Sequence, residues 1–166
     1  MRTLSAFVFR IPRMELLEVV TIGLPFCCFK ILGGLAALTW IQDEPSVLLM
    51  AVGVVFVALG LLDFLINGLN LISLLLLGRR VLDACLLSVV LRRIGRFTAH
   101  PEAHWRDFGN STDVLLSFMI VAVMVGKGFL NLVPPEALAL WNTCVVFNVL
   151  GAGLSRFGTS LKAFRV

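Results

Sequence analysis

Three ionisable residues stand in surroundings that are otherwise apolar: Lys30 in "GLPFCCFKILGG", Asp63 in "LGLLDFLINGLN" and Lys127 in "VAVMVGKGFLNL". Charges in such segments are costly to desolvate, so they pair with one another or line a polar path. Two lysines and one aspartate meeting in space would form a net positive site able to attract an anion or handle protons. Asn67, Asn70, Asn142 and Asn148 could support it with hydrogen bonds. The plainer alternative is a staple, in which Asp63 neutralises one lysine while the other snorkels or gives up its proton. A staple needs one lysine, and the chain carries two.

Other groups offer weaker chemistry. His100 and His104 in "HPEAHWRDF" are spaced i, i+4, but the order is not the HExxH of a zinc protease, and a solvated loop is expected. Cys27, Cys28, Cys85 and Cys144 lie in apolar stretches and read as small packed hydrophobes rather than a disulfide framework. "NSTD" at 110–113 reads as a helix cap, with Asp113 in the first turn of the helix it would start. No P-loop, nucleophile elbow, CxxC or glycine-rich dinucleotide motif is present, and no cofactor or metal is expected. Signal peptidase II shares the length, but "FNVLG" lacks the acid its motif requires; small multidrug transporters are shorter and lack the basic central loop.

Composition defines the scaffold that carries these residues. The 166 residues are 59% hydrophobic, with a mean hydropathy of +0.99. A water-soluble domain has roughly 45–50% apolar residues. A hydrocarbon layer about 30 Å thick needs about 20 helical residues. The runs at 16–40, 47–77, 113–132 and 137–155 meet that length. The fold class is therefore an all-α integral membrane protein with four transmembrane helices in one domain. The run at 47–77 would be roughly 46 Å long, so it must tilt, project or break, and "INGLN" at 66–70 is the expected break. Counted from the span ends, Lys30 lies about 18 Å deep and Lys127 about 20 Å, with Asp63 within reach of both.

Charge orients the helices. Twelve of the fourteen basic residues fall before the first span, between the second and third, or after the fourth. The short turns around Asp43, Glu44 and Glu136 carry none. By the positive-inside rule, both termini and the 79–112 loop are cytoplasmic. Arg79, Arg80, Arg92, Arg93 and Arg96 would then contact anionic headgroups or a partner, with no role for nucleic acid. Residues 79–97 are expected to form an interfacial helix, and 1–15 and 156–166 basic interfacial ends. The N-terminal stretch, broken by Arg10, Pro12 and Arg13, is not expected to be a cleaved signal. A competing topology makes residues 69–91 a further span, at the cost of burying Arg79 and Arg80.

Small residues at Gly33, Gly34, Gly53, Gly60, Gly151 and Gly153 should allow helices to approach closely, within one chain or between copies. "DFLINGLN" and "NVLGAGLS" share leucine and glycine positions, as a duplicated two-helix hairpin would leave them. The resulting functional expectation is a non-enzymatic membrane protein, oligomeric or part of a larger membrane complex, supporting ion or small-solute movement past Lys30, Asp63 and Lys127. The alternatives are a structural or assembly subunit and, third, a small intramembrane enzyme.

Overall fold

The computed structural model describes residues 11–41, 45–98 and 100–163. Those residues are all-helical, without a strand. The helices are α1 (Ile11–Glu18), α2 (Leu24–Trp40), α3 (Val47–Leu77), α4 (Leu86–Gly95), α5 (Glu102–Gly126) and α6 (Pro135–Ala163). A π-helical turn, Val19–Gly23, joins α1 to α2, and a 3-10 turn, Phe129–Leu132, precedes α6. Four helical stretches are long and apolar enough to cross a membrane: Glu15–Trp40, Val47–Leu77, Glu102–Gly126 and Pro135–Leu154.

α2 is the central helix, packed against α3, α5 and α6. In the most apolar part of Glu15–Trp40, 61% is buried, against 17% for Val47–Leu77. The side of α2 facing the Trp40 end carries Phe26, Phe29, Leu32 and Ala36 into a core with Ile120, Met124, Trp141 and Cys144. The Phe29 and Trp141 rings lie 4.9 Å apart. The close approach of α2 and α3 depends on missing side chains. A Cβ on Gly34 would stand 2.7 Å from the Gly53 carbonyl oxygen and 2.9 Å from the Val57 backbone nitrogen. One on Gly60 would meet Ile31 and the Cys27 carbonyl. Gly33 similarly faces Ile120, and Gly151 faces Thr21 of the π turn, whereas Gly153 has open space around it.

Pro25 accounts for the π turn. It has no N–H for the Thr21 carbonyl four residues back, and its ring crowds that carbonyl. The helix widens instead, with the Leu24 N–H bonding the Val19 carbonyl in the wider register.

Several expected boundaries move. α3 runs unbroken through 66–70: Asn67 and Asn70 turn inward and bond an adjacent segment rather than interrupt the helix. Only Leu86–Gly95 of the expected 79–97 helix is helical. Gly78 ends α3 in the left-handed conformation, φ 69°, the C-terminal stop that glycine favours. The chain then returns beside α3 without helical structure, and the Leu86 N–H reaches Asp63. No additional helix spans 69–91. α5 begins at Glu102 rather than 113 and ends at Gly126 rather than 132. The expected interfacial ends are partly helical, in Ile11–Glu18 and to Ala163 of α6. Residues 1–10 and 164–166, with Asp43 and Glu44, lie outside the described residues.

Candidate functional site: an ion triad beneath a cavity

Lys30 projects from the central helix and is fully buried. Its Nζ donates to Asp63 Oδ2 of α3 and to Asp113 Oδ1 of α5, each at 2.5 Å. Three helices therefore meet at one ammonium. Asp63 has a second attachment, because its Oδ1 accepts the Leu86 N–H at 2.6 Å. That amide belongs to the first turn of α4, where helix N–H groups lack helical partners and favour an anion. Asp113 is attached differently: among the described residues its Oδ2 receives no hydrogen bond, and the residue lines a cavity.

Along α3, polar side chains bind the returning segment. Asn67 Nδ2 donates to the Asp63 carbonyl at 2.9 Å and the Ala84 carbonyl at 3.2 Å. Asn70 Oδ1 accepts the Val81 and Leu82 N–H groups at 3.3 and 3.0 Å, and its Nδ2 donates to the Asp83 carbonyl at 3.3 Å. Ser73 Oγ donates to the Arg79 carbonyl at 2.5 Å. These contacts satisfy the backbone of a non-helical segment that has no ladder of its own. Cys85, expected within an apolar run, instead caps α4 through reciprocal bonds with Ser88. Burial, followed by the nearby Asp113 charge, pushes its thiol up to about 11.

The cavity beside the triad has a volume of about 160 Å³. The π turn forms one wall, and Lys30, Asp63, Asp113, Asn67 and Arg80 contribute most of its polar chemistry. A second cavity of about 380 Å³, on the arginine-rich side, is lined by Arg92, Arg106, Asp83 and Asp107. Arg80, Ala84 and Asn110 line both, so the two adjoin there. Arg80 is held by Glu18 at 2.6 Å and by the Glu15 carbonyl at 3.1 Å. Toward the Trp40 end the surroundings are apolar: a groove of about 210 Å³ is lined by residues such as Gly33, Phe56, Ile120 and Met124.

Lys127 does not join the triad. It caps the end of α5 and is exposed, about 21 Å along that helix from Asp113. Starting the helix at Glu102 moves Asp113 from its first turn to its middle and Lys127 from its middle to its end. The charge balance reverses accordingly, from two cations and one anion to one cation and two carboxylates. Asn148 is buried on α6 but does not line the triad cavity, and Asn142 is exposed. The two lysines consequently occupy unlike positions, which removes the equivalence expected of a duplicated hairpin.

The arginines expected at lipid headgroups are divided. Arg80 pairs with Glu18, Arg92 with Asp83 and Glu102, and Arg96 with Glu102. Arg79 and Arg93 are exposed and form no ion pair among the described residues. His100 and His104 are both exposed. Sequence reasoning missed Asp113 as a partner and Glu18 and Arg80 as cavity residues. A usable signal was present, since Gly109, Asp113, Ser117, Ile120 and Met124 recur on one helical face and all are buried.

Comparison with protein-family models, with curated proteins and with solved structures gave no match.

Proposed function

We propose that this chain is a small polytopic membrane protein that takes up a proton or small solute from its arginine-rich side at the Lys30–Asp63–Asp113 triad and moves it across the bilayer. The observation carrying this reading is the cavity beside the triad, lined there by Lys30, Asp63, Asp113 and Arg80 and adjoining the arginine-rich second cavity, while the Trp40 end of α2 is packed among apolar residues. A site accessible from one side is what one state of an alternating-access cycle requires; conduction through an open pore would need a polar path on both sides. The apolar exterior supports membrane residence, with Leu48, Val54, Leu61, Leu65 and Leu76 all exposed. The arginine-rich loops support a cytoplasmic position for the cavity mouth. Carboxylates outnumber ammonium groups at the triad, so a cationic group or a proton fits better than a free anion. The reading is non-enzymatic, with self-association or a larger membrane assembly providing the moving surface.

Liposomes containing the purified protein test this directly. A pH step in the presence of candidate solutes should produce flux, and Asp113→Asn should lower it at least tenfold without altering the helical circular dichroism. Equal flux through Asp113→Asn and Lys30→Met would refute the transport reading.

A purely structural role is favoured by one specific observation: Asp63 uses both oxygens, binding Lys30 and the start of α4. In that reading the triad fastens three helices and the α4 segment, and the chain serves as an assembly subunit.

A further inference from the structure

The two carboxylates that share Lys30 differ in their ability to take a proton. Asp63 accepts a hydrogen bond on each oxygen, from the Lys30 ammonium at 2.5 Å on Oδ2 and from the Leu86 N–H at 2.6 Å on Oδ1. A protonated carboxyl carries an O–H donor, which on either oxygen of Asp63 would compete with a donor already in place. Asp113 uses only Oδ1, again at 2.5 Å from the ammonium. Its Oδ2 receives no hydrogen bond among the described residues, and it is not sealed in, because Arg80 Nε is the one side-chain atom there that is both buried and unpartnered. Asp113 lines the cavity of about 160 Å³, which has room for a few waters at about 30 Å³ each. A proton arriving through that cavity can settle on Oδ2 while Oδ1 keeps its bond to Lys30.

Charge singles out the same step. One ammonium against two carboxylates leaves the triad with a single negative charge, and a single proton makes it neutral. Carrying an uncompensated charge past Phe29, Trp141, Ile120 and Met124 toward the Trp40 end would be costly, whereas a neutral site escapes that penalty. The other charged or titratable groups lining the cavity are Glu18 of α1, Cys27 of α2, and Arg80 and Cys85 of the returning segment, with none from α6 among the described residues. Glu18 and Arg80 pair with each other, Cys27 donates to the Gly23 carbonyl, and Cys85 caps α4. A metal ion fits less well, since hard cations take several oxygen ligands, and Asp113 Oδ2 is the one triad oxygen left free among the described residues. We infer that the ion this site takes up is a single proton and that Asp113 Oδ2 carries it. The Asp113 carboxylate becomes a neutral carboxyl, Lys30 stays an ammonium bonded to Asp63, and no bond of the triad is broken. This names the substrate of the proposed transport site and rests on that reading.

Infrared difference spectroscopy of the full-length protein in nanodiscs reads carboxyl protonation through the C=O stretch, whose frequency differs between aspartic and glutamic acid. Between about pH 8 and pH 6, exposed carboxyls with ordinary values of about 3.9–4.3 stay ionised. Over that range the wild-type protein should gain one carboxylic-acid band on acidification. Asp113→Glu should shift the frequency of that band, and Asp63→Glu should leave it in place. A band that follows Asp63, or that moves with neither substitution, would overturn the assignment to Asp113. So would the absence of any acid band in the wild type, a measurement that needs no variant to fold. Exchanging sodium for choline at fixed pH should change nothing; a band suppressed by sodium would mean that a metal cation competes for Oδ2, and would overturn the proton as the ion. The pH-step flux experiment judges the transport reading separately: the band without flux would uphold the proton site and refute transport alone.

Discussion

Lys30 is tolerated because its two carboxylates reach it from different helices, and these are not equivalent. Removing one partner from a buried ion pair costs about 3–5 kcal/mol, mostly for the charge left behind. Lys30→Met should therefore destabilise the protein by about that amount. Rescue should come from a second change at Asp113 rather than at Asp63. After Lys30 is lost, Asp63 still accepts the Leu86 N–H, whereas Asp113 has no remaining partner among the described residues. Thermal unfolding in detergent of Lys30→Met, Lys30→Met with Asp113→Leu, and Lys30→Met with Asp63→Leu would rank the three. Equal rescue by both double variants would show that the α4 amide contributes nothing to Asp63. Lys30 and Asp63 were legible in the sequence because charge in an apolar run is rare and has to be compensated. Asp113 was obscured by its neighbours, since "NSTD" suits a helix start, although the spacing of Gly109, Asp113 and Ser117 on one face carried the signal that a helix begun at Glu102 runs through it.

At the scale of the elements, composition located the helices well and their connections poorly. α3 has the bounds its apolar run implies, Val47–Leu77, because Ser46 caps its start and Gly78 stops its end. The segment after Gly78 was illegible because its order is borrowed: Asn67, Asn70 and Ser73 hold its backbone, and helical periodicity cannot report a partner on another element. The same polar residues, read locally, suggested a break. Glycines were identified as packing residues, but only geometry separates those at close approaches from those at the surface. Gly34→Ala would force a methyl against the backbone of Gly53 and Val57, which cannot move aside cheaply. It should cost about 1–3 kcal/mol, the range for overpacking. Gly153→Ala meets nothing and should be neutral or stabilising by up to about 1 kcal/mol through helix propensity. Unfolding midpoints in detergent would separate them, and a Gly34→Ala variant as stable as wild type would refute the tight α2–α3 contact.

For the whole molecule, topology depends on what happens between Gly78 and Glu102. If residues 69–91 crossed the bilayer, the C-terminal tail would lie opposite the N-terminus. Instead the chain turns at Gly78, climbs beside α3 to Asp63, and descends through α4 to the start of α5, with Gly95 against Trp105 and Gly109 against Ser88. That excursion runs from the end of α3 to the start of α5, and with the four long apolar helices as the proposed spans it would give four crossings. It also accounts for the length of α3: its last turns are flanked on one face by protein, so the helix need not be matched to lipid along all of its roughly 46 Å. Charge agrees, since Arg79, Arg80, Arg92, Arg93, Arg96 and Arg106 all fall on the excursion side. In a background with the four native cysteines replaced, Ser46→Cys should react with a membrane-impermeant maleimide from the outside of sealed, right-side-out vesicles. Arg93→Cys should react only after permeabilisation, and a C-terminal tag should become protease-accessible under the same condition. A tag cleaved in sealed vesicles while Arg93→Cys stays protected would require an odd number of crossings and would overturn the four-span arrangement.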